Sequence, residues 1–195
     1  MASELRVDKI IPVNGVPTGG SGGIIQVAHG KLSDTFAADG VVGNNYWVNV
    51  GLAATITPLY STSNIMIMVN MYIGKDQDNS SYQQQYRIIK DGSTVAALYG
   101  NPGSTHGVTG RINGYNNNTP ATGSNVMNQY SMNMLGGIHI ESNVGTTNAV
   151  TYRVDLRGYT SSPGVYVNRQ NTYQTSSTNY DGVPQSTITL MELST

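Results

Sequence analysis

Residues 64–73, Asn-Ile-Met-Ile-Met-Val-Asn-Met-Tyr-Ile, are apolar almost throughout and decide the fold class of this chain. The stretch is short and rich in β-branched residues, so it favours a strand over a helix. A strand that is apolar on both faces is typical of a central position with both faces buried. We therefore predict a central strand whose two faces carry different side chains: Ile65, Ile67, Val69, Met71 and Ile73 on one, and Met66, Met68 and Tyr72 on the other.

Nine further segments have strand patterns and are separated by turn residues, and none of the chain has a convincing helical pattern. Only 11% of the residues are charged, which leaves little to form the outer faces of helices. Asp91-Gly92 between two of the segments is a strong hairpin signal. The composition and spacing predict an all-β antiparallel sandwich with strands at 24–28, 46–57, 64–73, 82–90, 94–99, 108–112, 135–142, 150–159, 165–168 and 187–193.

The first 23 residues differ from the rest of the chain and end in a glycine-rich hinge. Their apolar residues are too few to form a core of their own, and the hinge separates them from the strands. We predict an attachment arm over residues 1–23 and one strand-rich head domain over 24–195. The arm residues expected to make contacts are Leu5, Val7, Ile10 and Ile11.

The composition excludes several classes of function. A net charge of −1 gives no positive field for phosphate groups, so we expect no nucleic-acid binding. The absence of cysteine excludes disulfides, cysteine metal sites and a thiol nucleophile. No apolar run approaches the roughly 20 residues that span a bilayer, so we expect no membrane insertion. The 13 tyrosines against 1 phenylalanine suit recognition or inter-subunit surfaces, and they equally suit ordinary strands.

Metal and cofactor sites have little support in the pattern. His29, His106 and His139 fall in separate segments without ligand spacing, although three copies of His106 or His139 on a trimer axis could meet around an ion. Residues 76–80 alternate oxygen ligands, but Ser81 and Arg87 stand where a calcium loop needs glycine and glutamate. A solvated acidic loop explains that segment better than a calcium site does. We expect no metal and no cofactor.

Catalytic patterns are equally sparse. The chain has no Gly-x-Ser-x-Gly elbow for a serine nucleophile. Glu141 and Asp155 lie on predicted neighbouring strands and are the pair of acids that could serve a glycan hydrolase. Nothing further supports them, so we expect no catalytic residues and no enzymatic activity.

Several segments, in their order along the chain, resemble structural proteins of tailed bacteriophages, marine and cyanobacterial phages especially. They are residues 3–10 (Ser-Glu-Leu-Arg-Val-Asp-Lys-Ile) with Pro12 and Asn14-Gly15, then 55–58 (Thr-Ile-Thr-Pro), 63–67 (Ser-Asn-Ile-Met-Ile), 87–92 (Arg-Ile-Ile-Lys-Asp-Gly) and 188–193 (Ile-Thr-Leu-Met-Glu-Leu). The resemblance implies a trimeric jelly-roll head of the C1q/tumour-necrosis-factor type. Residues 100–130 depart from that family pattern, with an Asn/Gly-rich loop where a more apolar strand pair is expected.

The jelly roll that the resemblance implies places the first core strand, 24–28, beside the last, 187–193. The trimer has independent physical support, because the second apolar face of 64–73 needs a cover and no helices are available to supply it. We predict subunit contacts at Met66, Met68, Tyr72 and Leu190.

The resemblance also implies a non-enzymatic virion protein, assembled in the host cytoplasm, exposed on the particle and bound to other virion proteins through its arm. The first reading is a short tail-fibre or receptor-binding head that binds host-surface carbohydrate. Its candidate receptor loop is Tyr115, Asn116, Asn117 and Asn118, whose residue types suit adaptable recognition and equally suit a solvated loop. The alternative is a capsid decoration (cement) protein that clamps neighbouring capsid subunits.

Overall fold

A computed structural model of the chain describes residues 23–38, 47–74, 83–94, 110–113, 132–158, 165–170 and 182–194. These ranges contain antiparallel strands and no helix, as the composition predicts. The strands are β1 (Ile24–Leu32), β2 (Phe36–Ala38), β3 (Val48–Ile56), β4 (Asn64–Gly74), β5 (Gln83–Lys90), β6 (Ser93–Thr94), β7 (Gly110–Asn113), β8 (Met132–Glu141), β9 (Val150–Gly158), β10 (Val165–Val167) and β11 (Ser186–Leu193).

The strands form two sheets, here called the β4 sheet and the β9 sheet. The β4 sheet has the order β1-β11-β4-β10-β2, with β8 on the other edge of β4, and the β9 sheet has the order β3-β9-β5-β6, with β7 also paired to β5. Without the short strands β2, β6 and β10, eight strands remain, and we count them from first to eighth in chain order. The β4 sheet then has the order first-eighth-third-sixth (β1-β11-β4-β8), and the β9 sheet has the order second-seventh-fourth-fifth (β3-β9-β5-β7). This is the order of a jelly roll, so the predicted fold class is confirmed.

The first and last strands lie side by side, as predicted. β1 pairs with β11 in antiparallel register from Ile24 opposite Leu193 to Leu32 opposite Ser186. β4 lies between β11 and β8, which confirms its predicted central position. The three-residue strand β2 was not predicted, because so short an edge strand has too few residues to show an alternation.

The core lies between the two sheets and is formed by alternate residues of facing strands. β4 contributes five side chains that are at most 2% exposed, the same five predicted for its buried face. The opposing β9 sheet contributes Val50, Leu52, Ala54, Ile56, Tyr152, Val154 and Leu156. Period-two alternation in the facing strands therefore closes one hydrophobic core.

The predicted hairpin is present between β5 and β6. Asp91 and Gly92 have φ angles of 45° and 82°, the two left-handed residues that a type I′ turn requires. The carboxylate of Asp91 accepts a hydrogen bond of 2.8 Å from the backbone N–H of Thr151, so the turn is also held to β9.

The two sheets approach each other closely where β1 passes β3. A Cβ atom added to Gly30 would lie 1.8 Å from the carbonyl oxygen of Ala53. Only glycine leaves room for this approach.

Candidate subunit interface

The second face of β4 points away from the core. Met66, Met68 and Tyr72 alternate with the buried residues of the strand and are half-buried. The prediction that β4 is buried on both faces is therefore wrong within a single chain. The sandwich covers one face only, because its second sheet lies on that side.

Neighbouring strands extend this outward face into a larger apolar surface. Met66 stands opposite Ile140 on one side and Met191 on the other, and Met191 stands opposite Val27. Directly opposed residues of paired strands share a face of the sheet. The surface, called the apolar face below, consists of Val27, Met66, Met68, Tyr72, Met134, Ile138, Ile140 and Met191.

The apolar face is accessible in the single chain. Its most exposed members are Val27 at 57%, Met134 at 63%, Ile138 at 62% and Ile140 at 48%. With strands about 4.8 Å apart and about 3.3 Å per residue, it measures roughly 15 by 20 Å. The exposed pair Asn70 and Gly136 separates Tyr72 and Met134 from the other six residues. An exposed apolar surface of this extent is typical of an interaction site.

Leu190 is not part of this face. Its side chain is 0% exposed and belongs to the core, since alternate residues of β11 face the other sheet. Met191, one position along, faces outward and takes the place that was predicted for Leu190. Met66, Met68 and Tyr72 do lie on the apolar face, and their contact with another subunit stays a prediction.

Beneath the apolar face, a buried carboxylate holds β11 to its surroundings. Glu192 is 0% exposed and accepts hydrogen bonds from Gln26 Nε2 at 2.6 Å, Ser63 Oγ at 2.7 Å, and the backbone N–H groups of Leu59 and Tyr60 at 2.9 and 3.2 Å. Burial by itself would raise the pKa of Glu192, but these hydrogen bonds outweigh it and hold the pKa below its usual value. The charged carboxylate therefore fixes the turn before β4 against β1 and β11.

Polar contacts also tie β8 to the opposite sheet. Glu141 accepts a hydrogen bond from the hydroxyl of Tyr152 and pairs with Lys90 Nζ at 2.9 Å. The hydroxyl of Tyr86 lies 2.8 Å from Nε2 of His139. Burial raises the pKa of Tyr86 to about 12 and lowers the pKa of His139, so burial favours the neutral form of both groups. These contacts hold β8, which carries the most exposed part of the apolar face.

The two described histidines lie on opposite sides of the β4 sheet. His29 is exposed, with Nδ1 3.1 Å from Thr189 Oγ1, whereas His139 faces the interior. Within the described ranges no group of three His, Asp or Glu side chains could hold a metal ion. His106 and residues 76–80 lie outside those ranges.

The two candidate acids do not converge. Glu141 and Asp155 lie on β8 and β9, which belong to different sheets, so the prediction that their strands are neighbours is wrong. The connection between these strands crosses from one sheet to the other. Glu141 faces the core, whereas Asp155 lies on the outer face of the β9 sheet among arginines.

That outer face carries an arginine cluster, defined as Arg87, Arg153 and Arg157 with Asp155 and Trp47. The guanidinium carbons of Arg87 and Arg157 lie 4.5 and 4.7 Å from the centroid of the Trp47 ring. The arginines come from β5 and β9 and the tryptophan immediately precedes β3. This cluster was not predicted, since only the pairing of these three strands brings the residues together.

Several predicted site residues lie outside the described residues. These are the arm residues Leu5, Val7, Ile10 and Ile11 and the candidate receptor loop Tyr115, Asn116, Asn117 and Asn118. Conversely, Met134, Ile138 and Ile140 lie on the apolar face without having been predicted there. Their alternate spacing in the sequence was the available signal. Because Leu135, next to Met134, is also apolar and lies on the other face, the sequence does not show which face of β8 is the inner one.

No protein-family model matches the chain. No curated protein matches it in sequence. Among solved structures, one of infectious bursal disease virus, strain Gx, aligns with 87% of this chain at 11% identity and a TM-score of 0.36. The chain spans 37% of the length of that chain. No helix in the described part of the protein is long and apolar enough to cross a membrane.

Proposed function

We propose that this chain is a non-enzymatic structural protein of a virion, the head of a short tail fibre that binds glycans on the host surface and works as a homotrimer. The observation that carries the proposal is the apolar face on the outside of the β4 sheet. The sequence resemblance to tailed-phage structural proteins supplies the virion setting and the trimer.

A second and third copy of the chain are the occupants that suit the apolar face. The centre of the face holds Met66, Met68, Ile138 and Ile140, without a charge among them. Obligate interfaces between copies have such apolar centres, and they bury about 2,000 Å² or more in total. His29 and Lys31 lie at the β1 edge on the same side of the sheet and would form a polar rim, whereas Asn70 lies within the face, between Met68 and Tyr72.

The arm has a suitable point of departure. Gly23 and Ser194 exchange two hydrogen bonds, Ser194 N to Gly23 O at 2.8 Å and Gly23 N to Ser194 Oγ at 3.0 Å. Gly23, the residue that follows the predicted arm segment, therefore lies at the start of β1, beside the end of β11 at one corner of the sandwich. An arm that leaves from this corner could dock on another virion protein while the head keeps its fold.

Trimerisation suits glycan binding, because three weak sites on one particle component gain avidity. The outer face of the β9 sheet lies on the far side of the sandwich from the apolar face. It would stay accessible in a trimer formed through the β4 sheet.

A capsid decoration protein is the second candidate. One feature favours it: only 12 residues separate Ile11 from Ile24, which is too little for a fibre shaft. In this alternative the arm and base clamp neighbouring capsid subunits and the loops face water.

The number of copies per particle separates the two roles. Quantitative mass spectrometry of purified particles would give tens of chains for a tail appendage and hundreds for a capsid decoration. Binding of the purified head to host cells, before and after periodate oxidation of their glycans, provides the second measurement. Periodate-sensitive binding supports the tail-fibre role, and hundreds of copies without cell binding would refute it.

A further inference from the structure

The arginine cluster on the outer face of the β9 sheet has more positive than negative charge. Its anion, Asp155, is 2% exposed and is already engaged on both oxygens. Arg87 Nη2 lies 3.0 Å from Oδ2 and Arg153 Nε lies 3.1 Å from Oδ1. The carboxylate of Asp155 is thus shared by two arginines, and neither of its oxygens accepts a hydrogen bond from the third.

Arg157 is the third arginine, and it is only 4% exposed. Its Nε donates to the neutral amide oxygen of Gln85 at 2.6 Å, and no carboxylate pairs with it in the described part of the chain. Burial and the nearby charge of Arg87 both lower the pKa of Arg157. Buried cations in proteins are normally paired with an anion, so among the described residues this guanidinium lacks its usual counter-charge.

The geometry points to a binding site for an acidic sugar at Arg157, with the sugar carboxylate on the guanidinium and the ring beside Trp47. The inference rests on the proposed function and names its ligand class. A guanidinium presents parallel N–H groups that match the two oxygens of a carboxylate.

Trp47 favours a sugar acid over a simple anion. The indole is half-buried, so part of it is open to a ligand. The centroid of its ring lies 4.7 Å from the guanidinium carbon of Arg157. An aromatic side chain next to a charge provides an apolar surface for a ring and a polar anchor for its substituent. Three such sites in the proposed trimer would lie on its outer surface.

The test uses the full chain and its single tryptophan, Trp47, as the reporter. Its fluorescence is followed during titration with methyl glucuronide and with the neutral methyl glucoside. We expect a saturable change with the acid alone, weakened at least tenfold in Arg157→Gln. Asn148→Asp, which lowers the net charge by the same one unit at an exposed position between β8 and β9, should bind as the original chain does.

A response to both sugars alike, or one that is unchanged in Arg157→Gln, would overturn the inference. Arg157→Lys keeps the positive charge but lacks the parallel N–H groups of a guanidinium. This variant should also bind methyl glucuronide at least severalfold more weakly than the original chain. If acetate binds as tightly as methyl glucuronide, the sugar ring does not contribute to binding and the inference is wrong. If an oligoglutamate peptide binds through Arg157 and the sugar acid does not, the partner is an acidic protein segment and the inference is wrong.

The outcomes also separate this site from the proposed function. Periodate-sensitive binding to cells that is unchanged in Arg157→Gln would leave the tail-fibre role standing and refute the site. Hundreds of copies per particle together with Arg157-dependent sugar binding would refute the tail-fibre role and keep the site.

Discussion

A single charge on the apolar face should dissociate the assembly without unfolding the head. Ile138 is 62% exposed in the single chain and stands opposite Met68 on β4. Burying an isoleucine side chain fully contributes about 1.5–3 kcal/mol, so covering this exposed fraction contributes about 1–2 kcal/mol per subunit. Glutamate at this position loses that contribution and adds the desolvation of a carboxylate, which costs several kcal/mol. The sum is about 4 kcal/mol per subunit, or roughly a thousandfold in the association constant.

Sedimentation velocity and native mass spectrometry at micromolar concentration would measure the change, with circular dichroism to confirm the fold. Ala53→Glu is the matched control, because Ala53 is an exposed strand residue on the outer face of the other sheet. We expect a trimer for the original chain and for Ala53→Glu, and a folded monomer for Ile138→Glu. A monomeric original chain, or an Ile138→Glu variant that stays trimeric, would refute the reasoning. Dissociation of both variants would show an unspecific charge effect.

Three further predictions concern the stability of the head, measured by chemical denaturation. Gly30→Ala should lower the free energy of unfolding by about 2 kcal/mol or more, because its methyl group meets the Ala53 carbonyl; Gly23→Ala, whose added atom meets only Ser194 Oγ at 3.5 Å, should change it little. Glu192→Gln should cost about 3 kcal/mol at pH 7, because buried donors lose their charged acceptor. Because folding lowers the pKa of Glu192, its carboxylate stabilises the fold fully above the ordinary carboxyl pKa, and this stabilisation is lost as the pH falls through the lower folded pKa. The difference in unfolding free energy between the original chain and Glu192→Gln should therefore shrink in acid. A difference that persists in acid would contradict this explanation. Asn168→Ala should lower the free energy of unfolding by about 3 kcal/mol, because Asn168 is 0% exposed, has a φ of 56° and donates to the carbonyls of Leu32 and Asp34. An equal loss of stability in Asn148→Ala, at an exposed position, would count against this explanation.

The strands themselves could be predicted because each is encoded locally. β4 and β9 were found from their apolar residues, and the turn at Asp91-Gly92 from the residue types that tolerate positive φ angles. The head's all-β class followed from few charges and many turn residues. These properties depend on residues that are near one another in sequence.

The identity of the outer face could not be predicted in the same way. β11 and β8 carry apolar residues on both faces, so alternation alone does not distinguish Leu190 from Met191 or Leu135 from Met134. The register against β4 decides which side chain enters the core. The same holds for Glu141 and Asp155, whose strands follow each other in the chain and lie in different sheets.

By itself, the sequence determined where strands and turns form, because backbone preference and side-chain period act over a few residues. The tertiary structure alone decided that Met66, Ile138 and Ile140 form one surface and that Arg157 meets Trp47. Both arrangements arise from pairing between strands that are distant in the chain. That pairing is selected by the free energy of the whole core, which no short segment contains.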